Sequence, residues 1–433
     1  MTVNTERTAG TSASTMAALD HLAKQQKPYV LAINGGSSSI KFALYQKGDP
    51  PKRQLHGKVD RIGSRGTTLT FDNLERNQQD SRIIGDFDHR SAATFQIDWL
   101  DKQIGLTSIA AVGHRVVNGG AHYNEPLRVT QELLDALRRI STYAPEHLPS
   151  EIAVIDLFRE RVPGLSQVVC FDTAFHRAMP QVAKILPIPR RFQAQGVERY
   201  GFHGLSYSFL MEELARVAGA EAALGRVILA HLGNGASLAA VRGGKSIDTS
   251  MGFTPAAGVP MGTRSGDLDP GLVWYLAQTE QMTAEQFHHM INHESGLLGV
   301  SETSSDLRDL LSREADDVRA AEAVALFCYQ VKKCIGAYAA ALGGLDTLVF
   351  AGGIGENAPG VRAQICDGLK FLGIEIEEKR NVTNAGVISA QTSRVAVRVM
   401  HTDEEVMIAK SVCHVLGLPI EKENDHGHED EKA

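Results

Sequence analysis

Apolar and polar positions along the chain follow two periods, and the switches between them outline its elements. YVLAINGG (29–36) is a short apolar run ending in Asn-Gly-Gly, and SIKFALY (39–45) resumes with alternation. Two such runs around a Gly/Ser turn predict a β-hairpin. A second strand–turn–strand occupies RVILAHLGNGASLAAVRGG (226–244), and a third apolar strand, DTLVFAGGIGEN (346–357), ends in a glycine loop. PGVRAQICDGLKFLG (359–373) then reads as a helix. Helical spacing also marks VTQELLDALRRI (129–140), through Leu133, Leu134, Leu137 and Ile140. The Ala-rich stretch AAEAVALFCYQVKKCIGAYAAAL (320–342) predicts a long helix buried between layers. Strands mixed with helices, a hairpin opening each half, predict an α/β protein of two domains facing a cleft. The two Asn/Gly hairpins stand about 200 residues apart, as equivalent elements of two similar halves would, although no wider repeat is legible.

Composition narrows the class. Among 433 residues, hydrophobic and charged fractions are ordinary for a globular chain, while Gly, at 41, is in excess. The formal charge of −7 argues against general nucleic-acid binding but not against small anions, which respond to local fields. Residues 421–433 hold six acids and two lysines, a net of −4, which leaves −3 for the remainder. That stretch reads as a disordered acidic tail, and the Thr/Ser/Ala-rich residues 1–27 as a flexible extension without signal-peptide order. Five cysteines without CxxC spacing suggest neither disulfides nor zinc but a reducing, cytoplasmic setting. No apolar run is long enough to span a membrane.

The glycine-rich turns carry the chemistry. INGGSSSIKF gathers two glycines, three serines and Lys41 on one hairpin turn, where backbone N–H groups, hydroxyls and a point charge suit a phosphate. An ordinary polar hairpin tip is the competing reading. HLGNGASLAAV repeats the theme with Asn234 between glycines, and AGGIGEN supplies a third loop at a strand end. It lacks GxGxxG spacing, and GGKS (243–246) is no Walker loop because position 239 is Ala. Arg115 in GHRVVNGG and Arg264 in MGTRSGDLDPG sit in polar Gly-rich loops, as a clamp on carboxylate or phosphate would. Asp172 ends the strand SQVVCFD, His203 lies between Phe202 and Gly204, and Glu404 and Glu405 precede the final helix.

Together NGGSSSIKFAL, GHRVVNGG, FDTAFHRAMP, RYGFHGLSY, HLGNGASLAAVRGGKSIDTSMGFTPAAGVPMGTRSGDLDPG and VFAGGIGEN closely resemble, in order, the signature segments of acetate kinases. The resemblance runs from about residue 29 to residue 410. It implies two duplicated RNase H-like domains of the actin-like superfamily with a nucleotide cleft between them, and a homodimer. The implied domains are 28–172, with a C-terminal helix 406–420 packing back on it, and a nucleotide-binding domain 173–405. By resemblance, Asn34, Ser37, Ser39 and Lys41 form the first phosphate hairpin, and His231, Asn234 and Gly235 belong to the second. Asp306, Arg308 and the loop of Gly353, Gly355 and Asn357 would hold the nucleotide. Asn34, Asp172 and Glu404 match the magnesium site, which could also take Mn²⁺. Arg115, Val117, Phe202 and Pro255 would face the acid. Arg115, Arg264, His203 and His147, with Asp172 and Asn34, would act in catalysis.

The implied reaction is reversible phosphoryl transfer between ATP and acetate, giving ADP and acetyl phosphate. A carboxylate with a pKa of roughly 4 needs no general base. The obstacle is its approach to a charged phosphoryl group, since two unit charges ~4 Å apart repel by ~4 kcal/mol at an effective dielectric of 20. Four positions depart from the family pattern, among them Leu148, where the family has Asn. Glu146 replaces a pocket leucine, Asn118 a common histidine and Tyr207 another histidine. Glu146 leaves propionate or another small acid open as acceptor. A non-kinase actin-like ATPase module is the alternative of a different class, although it gives Arg115, His203 and Arg264 no second anion to meet.

Overall fold

The computed structural model describes residues 28–36, 38–48 and 50–418. The extension 1–27, Ser37 and the acidic stretch 421–433 lie outside the described residues. The chain divides into two compact units. One takes the described residues through Val116, Glu125–Cys170 and those from Glu405 onward; the other takes Val117–Asn124 and Phe171–Glu404.

In the first unit, β1 (Tyr29–Gly35) and β2 (Ser39–Gln46) form the expected antiparallel hairpin. The sheet extends through β3 (Lys52–Asp60), β4 (Thr67–Asn73) and β5 (Gln78–Gly85) on one side. On the other side lie β6 (Ile109–Val116), β8 (Ser166–Phe171) and the two-residue β7 (Leu127–Arg128). The order is β5-β4-β3-β2-β1-β6-β8-β7, with β6 parallel to β1. Ile40, Phe42 and Leu44 alternate onto one face and pack with Leu55, Leu69 and Phe71 beneath Trp99 of α1 (His89–Ile104). α2 (Gln131–Arg139) begins where Thr130 Oγ1 accepts the Leu133 N–H at 3.2 Å, which trims the expected 129–140 helix to its capped length. α3 (Leu148–Arg161) follows.

The second unit opens on α4 (Gly204–Ala218) and the antiparallel strands β9 (Arg226–Leu232), β10 (Ala236–Arg242) and β11 (Lys245–Thr249). After α5 (Gly271–Thr279) and the long α6 (Val318–Leu342) come β12 (Thr347–Ala351), α7 (Gly352–Asn357) and α8 (Pro359–Cys366). β13 (Ala396–Val399) and α9 (Glu404–Leu416) close the chain. The sheet order is β11-β10-β9-β12-β13. Five strands of the first sheet, β3-β2-β1-β6-β8, run in the same order, each hairpin's first strand pairing parallel with a later one. This shared topology is the repeat that residue patterns did not reveal.

Two local expectations change. AGGIGEN is a helical turn rather than a loop, and the helix after it stops at Cys366, because Gly368 and Gly373 take positive φ and a 3-10 turn intervenes. The final helix starts at Glu404, two residues before the expected 406. It packs on β6 at Gly113, where a Cβ would collide with Ile408 and Val412.

Two buried histidines make stability pH-dependent. His114 meets Gln167 Oε1 at 2.6 Å, and His176 lies between Ser246 Oγ and the Phe202 carbonyl. Burial lowers both from 6.5 to about 4. Their folded values lie below the unfolded one, so stability is full above about 6.5 and is lost as pH falls toward 4. These two sites set a slope of at most about 2.7 kcal/mol per pH unit. Histidine NMR should show two rings still neutral at pH 5; titration of all sixteen near 6.5 would contradict the assignment.

Candidate functional site

In the first unit the β1–β2 turn is closed by the Gly36 N–H donating to the Ser39 carbonyl at 2.7 Å. Asn34 and Lys41 are register partners across the hairpin. Asn34 is 6 % exposed and donates from Nδ2 to Glu405 Oε1 at 2.9 Å, so the second of the two terminal glutamates, unassigned from sequence, meets the hairpin. Arg115 leaves β6 and donates from Nη1 to the Gly35 carbonyl at 2.8 Å. Its Nη1 lies 3.9 Å from Oε1 of Glu151, a buried carboxylate of α3 that sequence reasoning also missed. His147 is buried at the N-cap of α3, its carbonyl accepting the Glu151 N–H at 3.1 Å. Its neighbour Glu146 is partly exposed. A groove of about 640 Å³ runs across the polar face of β2–β5, with Lys41, Arg53, Lys58 and Glu405 among its walls.

The second unit concentrates more of the expected residues. His203 has φ 59°, a left-handed backbone uncommon outside glycine, at the N-cap of α4. It is held from both sides. Gly201 takes φ +74°, and a Cβ on Gly204 would collide with the carbonyl oxygen of Asp172, to which Gly204 donates its N–H at 2.9 Å. The His203 ring stacks on His231, centroids 4.3 Å apart, and its Nδ1 meets Ser237 Oγ at 2.8 Å. His231 Nδ1 in turn meets Ser206 Oγ at 2.8 Å, and Ser206 meets Thr402 Oγ1 at 2.7 Å.

The Gly233–Asn234–Gly235 turn lies against this ring. A Cβ at Gly235 would stand 3.3 Å from His203 Nε2 and 3.7 Å from Arg264 Nη1. Arg264 is aimed there by a bond from Nη1 to the Pro255 carbonyl at 3.2 Å. Asn234 is exposed, and its carbonyl accepts the Gly262 N–H at 3.0 Å. Gly353 N is 3.9 Å from where a Gly233 Cβ would be, so the α7 turn borders the same glycines. Asn357 Nδ2 donates to the Gly353 carbonyl at 3.0 Å, closing that turn. The wholly buried Arg362 holds it from beneath, donating from Nη1 to the Gly355 and Glu356 carbonyls at 2.8 and 3.0 Å. Asp306 and Arg308 pair with each other at 2.5 Å, which holds the Asp306 carboxyl below its usual value.

Among the remaining positions, Val117, Asp172 and Phe202 are buried, and Glu404 opens α9 partly exposed. Asn118 explains its own departure, since its Oδ1 accepts the Gly120 N–H at 2.7 Å and folds the Gly-Gly turn locally. No group of three His, Cys, Asp or Glu among the described residues could hold a metal by itself.

The chain matches the acetokinase family over residues 29–410. It belongs to that family. It is 44% identical over 393 residues to a propionate kinase of Citrobacter rodentium, covering 89% of this chain and 96% of that one. It is 42% identical over 388 residues to an acetate kinase of Rhodopseudomonas palustris, covering 88% and 97%. The crystal structure of Porphyromonas gingivalis acetate kinase superposes with a TM-score of 0.79 at 37% identity, covering 90% of this chain and 99% of that one. Membership makes this chain a kinase, and the shared strand order of its two sheets is that of the actin-like fold. Two nitrogen-bearing side chains, His203 and Arg264, thus approach the position a side chain at Gly235 would take.

Proposed function

We propose that this acetokinase transfers the γ-phosphoryl group of ATP to the carboxylate of a small acid, reversibly, giving ADP and an acyl phosphate. The observation that carries the reading is the approach of His203 Nε2 and Arg264 Nη1 to the missing side chain of Gly235. A carboxylate is already ionised at neutral pH, so the chain needs no base but must neutralise and orient charge. Arg264 and Arg115 are assigned to that charge by family resemblance, and His203 donates to a phosphoryl oxygen. The bond of Arg115 to the Gly35 carbonyl fixes its guanidinium beside the hairpin turn.

By family resemblance, Asn34, Asp172 and Glu404 supply oxygen donors of the kind that Mg²⁺ takes. Mg²⁺ is usually held by one or two carboxylates plus substrate phosphates and water rather than by an all-protein cage. When bound with nucleotide it would neutralise phosphate charge. The acceptor is acetate or propionate, with Val117, Phe202 and Pro255 as the apolar wall; the partly exposed Glu146 bears on the choice. Trapping acyl phosphate as hydroxamate, with ATP, Mg²⁺ and a panel of short acids, tests the reading. Product with acetate or propionate that disappears with EDTA supports it, and no product with any acid sinks it.

The working form is a homodimer. On α5, Val273, Trp274 and Tyr275 are 46%, 72% and 59% exposed, with Leu268 and Leu272 beside them. An apolar face of that density suits a second copy. Trp274→Glu should convert a dimer to monomer in sedimentation; a wild-type chain that is already monomeric would refute the assignment. The few cysteines, without CxxC spacing, fit a reducing cytoplasm; among the described residues no helix is long and apolar enough to cross a membrane.

A further inference from the structure

The ring of His203 is held by a hydrogen-bond chain whose direction is decided by hydrogens that have only one place to go. Tyr207 is 0% exposed, and its hydroxyl lies 2.5 Å from Ser237 Oγ. Ser237 is also 0% exposed, and its Oγ lies 2.8 Å from His203 Nδ1. Among the described residues neither hydroxyl makes another hydrogen bond. Burial also pushes the Tyr207 phenol well up, so it keeps its hydrogen.

Three arrangements are conceivable, and two strand a buried donor. If Nδ1–H donated to Ser237 and Ser237 to Tyr207, the tyrosine hydrogen would have no acceptor. If Nδ1–H and Tyr207 both donated to Ser237, the serine hydrogen would have none. Each orphan costs ~1–3 kcal/mol. In the third arrangement Tyr207 donates to Ser237, Ser237 donates to Nδ1, and both buried hydroxyl hydrogens are placed. We infer that Ser237 is a positioning residue that locks His203 as the tautomer bearing its hydrogen on Nε2, the nitrogen that faces Gly235 and Arg264, and that Tyr207, as donor to Ser237, leaves the serine hydrogen no other acceptor. The stack on His231, itself tied to Ser206, fixes the plane of the ring. A histidine at 207, common in the family, could accept from Ser237 as readily as donate. Tyrosine removes that freedom.

The consequence rests on the proposed phosphoryl transfer: a tautomer chosen before substrate arrives presents a ready donor and needs no rearrangement in the transition state. The assignment itself is read on the free protein. In the full chain labelled with ¹⁵N-histidine, long-range ¹H–¹⁵N correlation identifies His203 by the signal lost in His203→Gln. The expected spectrum shows Nε2 protonated and Nδ1 bare. Tyr207→Phe should keep that tautomer, because Ser237 still has only Nδ1 to donate to. Tyr207→His should introduce the second tautomer. Ser237→Ala should leave both tautomers in exchange and lower kcat about tenfold or more, with KM for ATP within about twofold. Protonated Nδ1 in the wild type, or unchanged ring signals in Ser237→Ala, would overturn the inference. Absence of acyl phosphate with a spectrum as expected would overturn the proposed function alone.

Discussion

Arg264→Ala is expected to lower turnover by about 10²–10³-fold, the size of loss found when one donor to a developing anionic charge is removed. The side chain is pre-aimed: Nη1 bonds the Pro255 carbonyl and lies 3.7 Å from the Gly235 side-chain position. The loop beneath it is held by backbone contacts, with Met261 N–H donating to the Arg264 carbonyl at 3.0 Å. Gly296, at φ +62°, lies so close that a Cβ there would stand 2.6 Å from the same carbonyl oxygen. The truncation therefore removes charge and leaves the loop in place. Arg264→Lys should recover only part of the loss, because an ammonium is a point charge and cannot bond Pro255 and reach toward Gly235 as a fork does. Steady-state acyl phosphate formation measures both, and near-normal turnover in the alanine variant would remove Arg264 from the transition state.

Gly235→Ala should be nearly as damaging to activity while sparing the fold. The added methyl would meet the ends of two side chains, His203 Nε2 at 3.3 Å and Arg264 Nη1 at 3.7 Å, and both can give way by tenths of an ångström. What it takes away is the space between the donors, so turnover should fall by about 100-fold with Tm shifted by only about 2 °C. Gly204→Ala is the contrast. There the methyl would strike the Asp172 carbonyl, part of the backbone, and the strained φ of His203 depends on that close approach. Thermal unfolding should show a marked loss of stability for Gly204→Ala and almost none for Gly235→Ala; equal Tm values would mean that both glycines serve the same purpose.

The glycine turns were legible in the residues because glycine is demanded locally. Where a turn closes within four residues, as at Gly233–Gly235, the requirement is written in adjacent letters. Arginine beside such turns was likewise readable, since no apolar surface there needs its stem. Other features depend on partners far along the chain. Asn34 meets Glu405 across 371 residues, and nothing in DEEV distinguishes that glutamate from Glu404, one position earlier. Glu151 reads as a helix-surface carboxylate until α3 buries it 3.9 Å from Arg115. Arg362, in a stretch patterned like any amphipathic helix, is wholly buried because the carbonyls of the α7 turn and Asn381 consume its donors.

The sequence by itself determined the hairpins, their glycine turns, the principal helices and the family, since local periodicity, turn chemistry and signature segments are properties of neighbouring residues. Only the tertiary structure disclosed that both sheets share one strand order, because strand order is fixed by pairing between segments whose side chains need not look alike. It also decided that Tyr207, a departure from the family when read as a letter, completes a chain through Ser237 to His203. The physical reason is the same in both cases. Burial removes water as an alternative partner, so which distant groups meet decides where each hydrogen must go.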